Sequence, residues 1–189
     1  MGEKLRESDR LVVAGQPLPE ELMPHDRIAG SAVCSLLREF VQLSPHHRQE
    51  IHALVTSQPQ YQRTASSGMP AAYRSYSSTG EPGPVVMRLL GNRNLSSTSV
   101  AKAVHTVTGG RRYWAASSYN MLGVGRKALT PDLLGDLSAL IDLPVGVLEE
   151  LTGVVPQAPP ADVGALVWDC RRLTEDQIRD VAEKAEKLR

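Results

Sequence analysis

The sequence predicts an all-α fold from three observations. Apolar residues recur at intervals of three and four through most of the chain. Aromatic residues make up only 4% of a chain that is 41% hydrophobic, so the core must be Leu, Val and Ala, which suit helical bundles better than a β-sandwich. Helix start and stop signals such as Ser44-Pro45, Gly109-Gly110 and Thr130-Pro131-Asp132 punctuate the apolar periods.

The elements follow in order. Residues 1–27 mix charge with Pro17, Pro19 and Pro24 and read as a loosely ordered arm. Over 28–43, Ile28, Val33, Leu36, Leu37, Phe40 and Val41 repeat at helical spacing. Ser44 is an N-cap and Pro45 fits the first helical position, so 45–57 forms a second helix and closes a hairpin. Residues 59–84 are rich in Ser, Gly, Pro and Gln, with Tyr61, Tyr73 and Tyr76 as the large side chains, and read as a linker. Arg63, Arg74 and these tyrosines could lie along a nucleic acid backbone, against the simpler reading of a solvated connection.

Five short helices are expected next, at 85–91, 97–108, 115–122, 131–140 and 145–152. Beyond Pro159 and Pro160, Val163, Leu166, Val167 and Cys170 line one helix, and Thr174 to Gln177 open another as a capping box. Its seam of Ile178, Val181, Ala185 and Leu188 needs a partner helix, from this chain or a second copy. The expected units are therefore 1–58 (arm and hairpin), 59–84 (linker), 85–155 (five helices) and 156–189 (C-terminal helices, with a possible role in dimerisation).

Charge is segregated along the chain. Between Pro82 and Pro131 stand seven cations, Arg88, Arg93, Lys102, Arg111, Arg112, Arg126 and Lys127, and no acid, while nine acids precede and twelve follow. A cationic middle in a chain of zero formal charge suggests a polyanionic partner.

The block 97–154 resembles the Cro and lambda-repressor-like (XRE-type) helix-turn-helix family of bacterial regulators. The run Ser117-Ser118-Tyr119-Asn120-Met121-Leu122 resembles its recognition helix, and Gly125-Arg126-Lys127-Ala128-Leu129-Thr130-Pro131 its basic loop and the start of its fourth helix. Leu134, Leu137, Leu140, Leu143-Pro144 and 148–153 resemble its closing helices. The family joins the two reading helices by three or four residues with one glycine, whereas Gly109 to Trp114 make six. Either the second of the pair begins earlier, near Arg111, or the turn carries an insertion whose arginines sit beside DNA.

The resemblance implies a sequence-specific regulator of double-stranded DNA, acting as a homodimer, cytoplasmic and nucleoid-associated. The residue chemistry agrees. Short polar side chains on the leading half of a groove-entering helix meet base edges, so Ser117, Ser118 and Asn120 are candidate readers, with Asn120 suited to adenine. Tyr119 is assigned to phosphate or a thymine methyl, and Met121 and Leu122 to the core. Lys102, Arg111, Arg112, Arg126 and Lys127 are candidate phosphate contacts, and the Tyr113 hydroxyl a further one. Trp114 reads as a core plug more than a stacking platform. A protein-interaction module using the same helical core is the alternative.

Other chemistry is not indicated. His46, His47 and His52 lack the spacing of a metal site, no phosphate-binding loop or nucleophile elbow is present, and no acid, base and nucleophile assemble, so neither an enzyme nor a cofactor or small-molecule ligand is expected. Cys34 and Cys170 read as buried free thiols. No stretch approaches the roughly 20 continuous apolar residues of a membrane span, and residues 1–10 alternate charges where a signal peptide would turn apolar.

Overall fold

A computed structural model describes residues 5–61, 63, 76, 81–156 and 161–189, with backbone alone at 161 and 162. Among them the chain is all-α and without strands, with helices α1 (Glu7–Val13), α2 (Arg27–Phe40), α3 (Pro45–Ser57), α4 (Pro82–Asn92), α5 (Ser97–Val107), α6 (Ala116–Gly123), α7 (Pro131–Ser138), α8 (Val145–Thr152), α9 (Ala161–Cys170) and α10 (Glu175–Lys187). A 3-10 turn at Glu20–Leu22 interrupts the first connection.

The starts are set by side chains that satisfy the leading N–H groups. Asp26 accepts from Ala29 N at 2.9 Å, Ser44 from His47 N at 3.3 Å and Ser96 from Ser99 N at 3.2 Å. Thr174 and Gln177 close a reciprocal capping box on α10. At the other end of α8, Gly153 takes a left-handed φ of 66°, which stops the helix at little steric cost. α4 begins at Pro82, three residues earlier than its apolar period, because its prolines occupy the first turn.

Two layers share one continuous core. α2, α3, α9 and α10 form the first, α4 to α8 the second, and α2 lies on α5 to join them. The seam of α10 is closed within the chain: Ile178, Val181 and Ala185 are buried in the core that α2 lines. Arg189 Nη1 reaches Glu39 Oε2 at 2.9 Å, so α2 and α10 run parallel and end together. Of the two partners the seam allowed, the structure uses a helix of the same chain, and the seam is not free for dimerisation.

The arm is not loose. α1 packs on α4, and Asp9 is buried with 0% side-chain exposure. Arg93, equally buried, holds both Asp9 oxygens at 2.7 and 3.0 Å and also donates to Ile141 O at 2.6 Å and Leu89 O at 2.9 Å. Asn92 Nδ2 adds a third bond to Asp9 at 2.7 Å. Arg88 crosses to Val12 O at 3.0 Å and Val13 O at 3.1 Å. Beside them the Trp168 ring lies under Arg6, Arg171 and Arg93, at 3.8, 4.7 and 5.1 Å from its centroid. Arg171 bonds Asn92 O and Leu22 O, and burial, with Arg93 nearby, pushes its guanidinium down to about 9.

Most of the linker, including Tyr73 and Arg74, lies outside the described residues, as does the Pro159-Pro160 break before the C-terminal helices. Where it is described it is tied down: Gln177 Nε2 donates to Pro59 O at 2.8 Å, and Arg63 bonds Glu20 at 2.8 Å and Pro24 O at 3.0 Å. The Tyr76 ring rests on Gly123, where an added Cβ would lie 2.2 Å from Tyr76 Cδ1. Both cysteines are free thiols. Burial pushes Cys34 up to about 11 and Cys170 higher still, so neither is a ready nucleophile.

Candidate nucleic-acid interface

α5 and α6 pack together, and α4 supports α6 from behind. α4 approaches closely because Gly83 faces the Leu122 carbonyl, where a Cβ would come within 2.6 Å of the oxygen. α5 ends on Gly109 and Gly110, with φ of 58° and 85°. Gly110 N returns to His105 O at 2.8 Å, and the Thr108 hydroxyl accepts from Arg112 N at 3.1 Å. The turn is thus longer than the family's, and α6 does not begin early at Arg111; it starts at Ala116.

The arginines of that turn point to α7 instead of outward. Arg112 is engaged by Asp136 and by Asp132, the latter at 2.7 Å, and its side chain is only 10% exposed. Arg111 pairs with the other oxygen of Asp136 but stays mostly exposed. The Thr130 hydroxyl and Arg112 hold the Asp132 carboxyl down at about 2. Asp136 is itself buried. Arg112 is therefore a clamp of the turn on α7, which corrects its assignment to phosphate, and Arg111 would have to leave a carboxylate to reach one. Asp136→Ala is expected to cost roughly 2–3 kcal/mol, since it removes the buried partner of Arg112 and leaves that guanidinium only the exposed carboxylate of Asp132. Chemical denaturation checks this; a loss under about 0.5 kcal/mol, the size of an exposed pair, would mean the clamp is open in solution.

Four of the seven cations of the acid-free segment are thus committed to partners inside the fold: Arg88, Arg93, Arg111 and Arg112. Lys127 places its Nζ 3.8 Å from the Trp114 ring centroid, with Arg112 at 5.1 Å. Arg126 is exposed after Gly125, whose φ is 74°. Lys102 is exposed on α5 near Cys34 of α2, and its charge offsets only part of the upward push that burial gives that thiol. Among the described residues Lys102 and Arg126 have no salt-bridged carboxylate.

On α6 the structure separates the candidate readers. Ser117 and Asn120 are exposed and Ser118 is half-buried. Tyr119 is fully buried, its ring 5.7 Å from Trp114, so it cannot touch phosphate or a thymine methyl and that assignment is corrected. Its hydroxyl finds no hydrogen-bond partner among the described residues, and burial pushes its phenol up to about 12. Tyr113 is 84% exposed, edge-on to His105 at 5.6 Å. Leu122 is in the core as expected, but Met121 is 40% exposed and Val124, just past the helix, 43%.

Ser117, Asn120, Met121 and Val124 therefore form one outward stripe at spacings of three, one and three, continuous from the start of α6 past its end. The sequence carried that signal: once Tyr119 and Leu122 face inward, the residues between them must face out. At the head of the stripe the N-cap is Ala115, which offers no side-chain acceptor, so leading N–H groups of α6 are left for solvent or an anion.

The histidines stand apart. His46 pairs with Glu50 at 3.1 Å along α3, and His52 ties α3 to Asp169 of α9 at 2.8 Å. No group of three potential metal ligands occurs among the described residues, and no helix among them is long and apolar enough to cross a membrane. Comparison with protein-family models, curated proteins and solved structures returned no match.

Proposed function

We propose that the chain is a sequence-specific regulator of double-stranded DNA, with α5 and α6 as a helix-turn-helix of the Cro and lambda-repressor-like type. The observation that carries this reading is the outward stripe of α6, with its polar head of Ser117 and Asn120, on a helix that packs on α5, where Lys102 is exposed, and that leads into the loop of exposed Arg126. Asn120 offers paired hydrogen bonds to adenine, Ser117 adapts to several bases, and Met121 and Val124 suit thymine methyls. Lys102, Arg126 and Lys127 hold phosphates, together with the uncapped start of α6. A single unit meets half a site, so a two-fold operator takes two copies.

The internal pairing of Arg111 and Arg112 bounds the electrostatics. Two to three phosphates per copy correspond to a log–log salt slope of roughly −2 to −3, shallow for a DNA-binding unit. With a site selected from random duplexes, Arg126→Ala should weaken binding to all sequences alike and reduce the slope by about 0.9. Asn120→Ala should cost roughly 1–3 kcal/mol on the selected site and less on random DNA. Failure to select any sequence, or an equal loss on both DNAs, would sink base reading by α6.

The second reading, a protein-interaction module, is favoured by the exposure of Met121 and Val124 on that same face. It requires binding without DNA sequence preference and loss of the partner on Met121→Lys.

A further inference from the structure

Tyr113 is the most exposed of the large apolar side chains described, at 84%, yet the turn that carries it is held on both sides. Before it, Gly110 N bonds His105 O at 2.8 Å, Arg112 N donates to the Thr108 hydroxyl at 3.1 Å, and the Arg112 guanidinium is clamped by Asp132 and Asp136. After it, Trp114 packs on buried Tyr119. The ring is also backed. His105 meets it edge to face, with centroids 5.6 Å apart and planes at 74°, and His105 in turn rests on Gly110, where an added Cβ would lie 3.4 Å from its Cε1. The core gains almost nothing from a ring left in solvent. Held backbone and a ring with few torsions mean that little freedom is lost when something settles on it.

We infer that the Tyr113 ring, backed by His105, is a stacking platform for an unpaired nucleobase, with Lys102 on a phosphate of the same strand. Charge selects that occupant. Lys102 stands one turn before His105 on α5, is exposed, and has no salt-bridged carboxylate among the described residues. No acid occurs between Pro82 and Pro131, and the first two acids beyond, Asp132 and Asp136, are taken up by Arg111 and Arg112. A strand of nucleic acid offers an aromatic face and a phosphate at every residue, which matches this pairing of ring and cation. An apolar peptide would leave Lys102 unanswered, and an acidic one would leave the ring idle. In a duplex the base faces are covered by their neighbours, so the base that stacks here is unpaired. The contact is made by the face of the ring and not by its hydroxyl. It stands apart from the duplex reading through α6, with which it shares only Lys102.

The test is fluorescence anisotropy of the full-length chain with two short single strands of equal length and charge, an oligothymidylate and its abasic counterpart. The wild type should bind the strand with bases about tenfold more tightly, the size of one aromatic stack. Tyr113→Ala should erase that difference while the melting temperature stays unchanged, because the side chain is already in solvent. Tyr113→Phe should keep it, which a hydroxyl contact to phosphate would not allow. His105→Ala should narrow the difference without touching binding to the abasic strand, since it removes only the backing of the ring. The same pair made as ribonucleotides shows which strand the platform prefers; a base-dependent difference in either supports the site. Equal binding of both members of each pair, no binding of any in the micromolar range, a difference that survives Tyr113→Ala, or one that is lost in Tyr113→Phe would each overturn the assignment. Asn120→Ala on a selected duplex tests the α6 reading separately, so either can fail alone.

Discussion

Asp9→Ala should lower the unfolding free energy by about 3–5 kcal/mol, because it leaves Arg93 as an unpaired charge in a closed site. Asp9 and Arg93 both have 0% side-chain exposure, and Arg93 spends its other donors on the Ile141 and Leu89 carbonyls, which cannot balance a positive charge. Asn92 loses its strongest acceptor in the same change. Urea denaturation measures the loss. Replacing both partners with apolar residues, Asp9→Leu with Arg93→Met, should recover much of it, since an empty pair is cheaper than half of one. A loss below about 1 kcal/mol for Asp9→Ala would show that α1 leaves α4 in solution and that water already reaches Arg93.

Gly30→Ala should cost about 3 kcal/mol, reversing the usual sign for glycine inside a helix. In an open helix the change gains up to about 1 kcal/mol. At Gly30, however, a Cβ would stand 1.9 Å from the carbonyl oxygen of Asn94, which is backbone and cannot swing aside. Asn94 is itself held, at φ 62° in the turn between α4 and α5, and its amide donates to Asp26 O at 2.7 Å. The methyl group must therefore pry α2 from the α4–α5 turn, an overpacking cost at or beyond the usual range. Gly146→Ala, with nothing within 4 Å of its Cβ, is the control and should be neutral or stabilising. Thermal and chemical melts of the two variants side by side decide it; equal effects would mean that the α2 contact yields easily.

What the sequence disclosed was local. Ser44, Ser96, Pro131 and Thr174 announce their helices because a cap needs only its next three residues, and those starts stand where the residues put them. The arm misled because α1 has few apolar residues and three prolines nearby, and Asp9 reads as a solvated charge until Arg93, 84 positions away, is seen to enclose it. The same blindness overstated the cationic segment. Separation along the chain is not separation in space, and the acids of α1 and α7 return to neutralise Arg93, Arg111 and Arg112. On α6, Tyr119 looked like a contact because tyrosine suits either role. Only the position of Trp114 and of α4 decides that it points inward.

The pairing of α2 with α10 also fixes when the fold can be completed. Glu175 follows Phe40 by 135 positions, which at ribosomal rates take roughly 10 s to synthesise. For that interval the first layer lacks the helix that covers α2, and Val33, Leu36, Leu37 and Phe40 wait without it, since α3, the next helix made, packs on α9 and α10. α5 arrives midway and can shelter one side of α2. The other side stays open until the capping box at Thr174 has left the exit tunnel and α10 can zip along it. Assembly is thus gated by the arrival of the last helix, and a chain stalled before Thr174 would carry an adhesive α2 surface that the finished protein never shows.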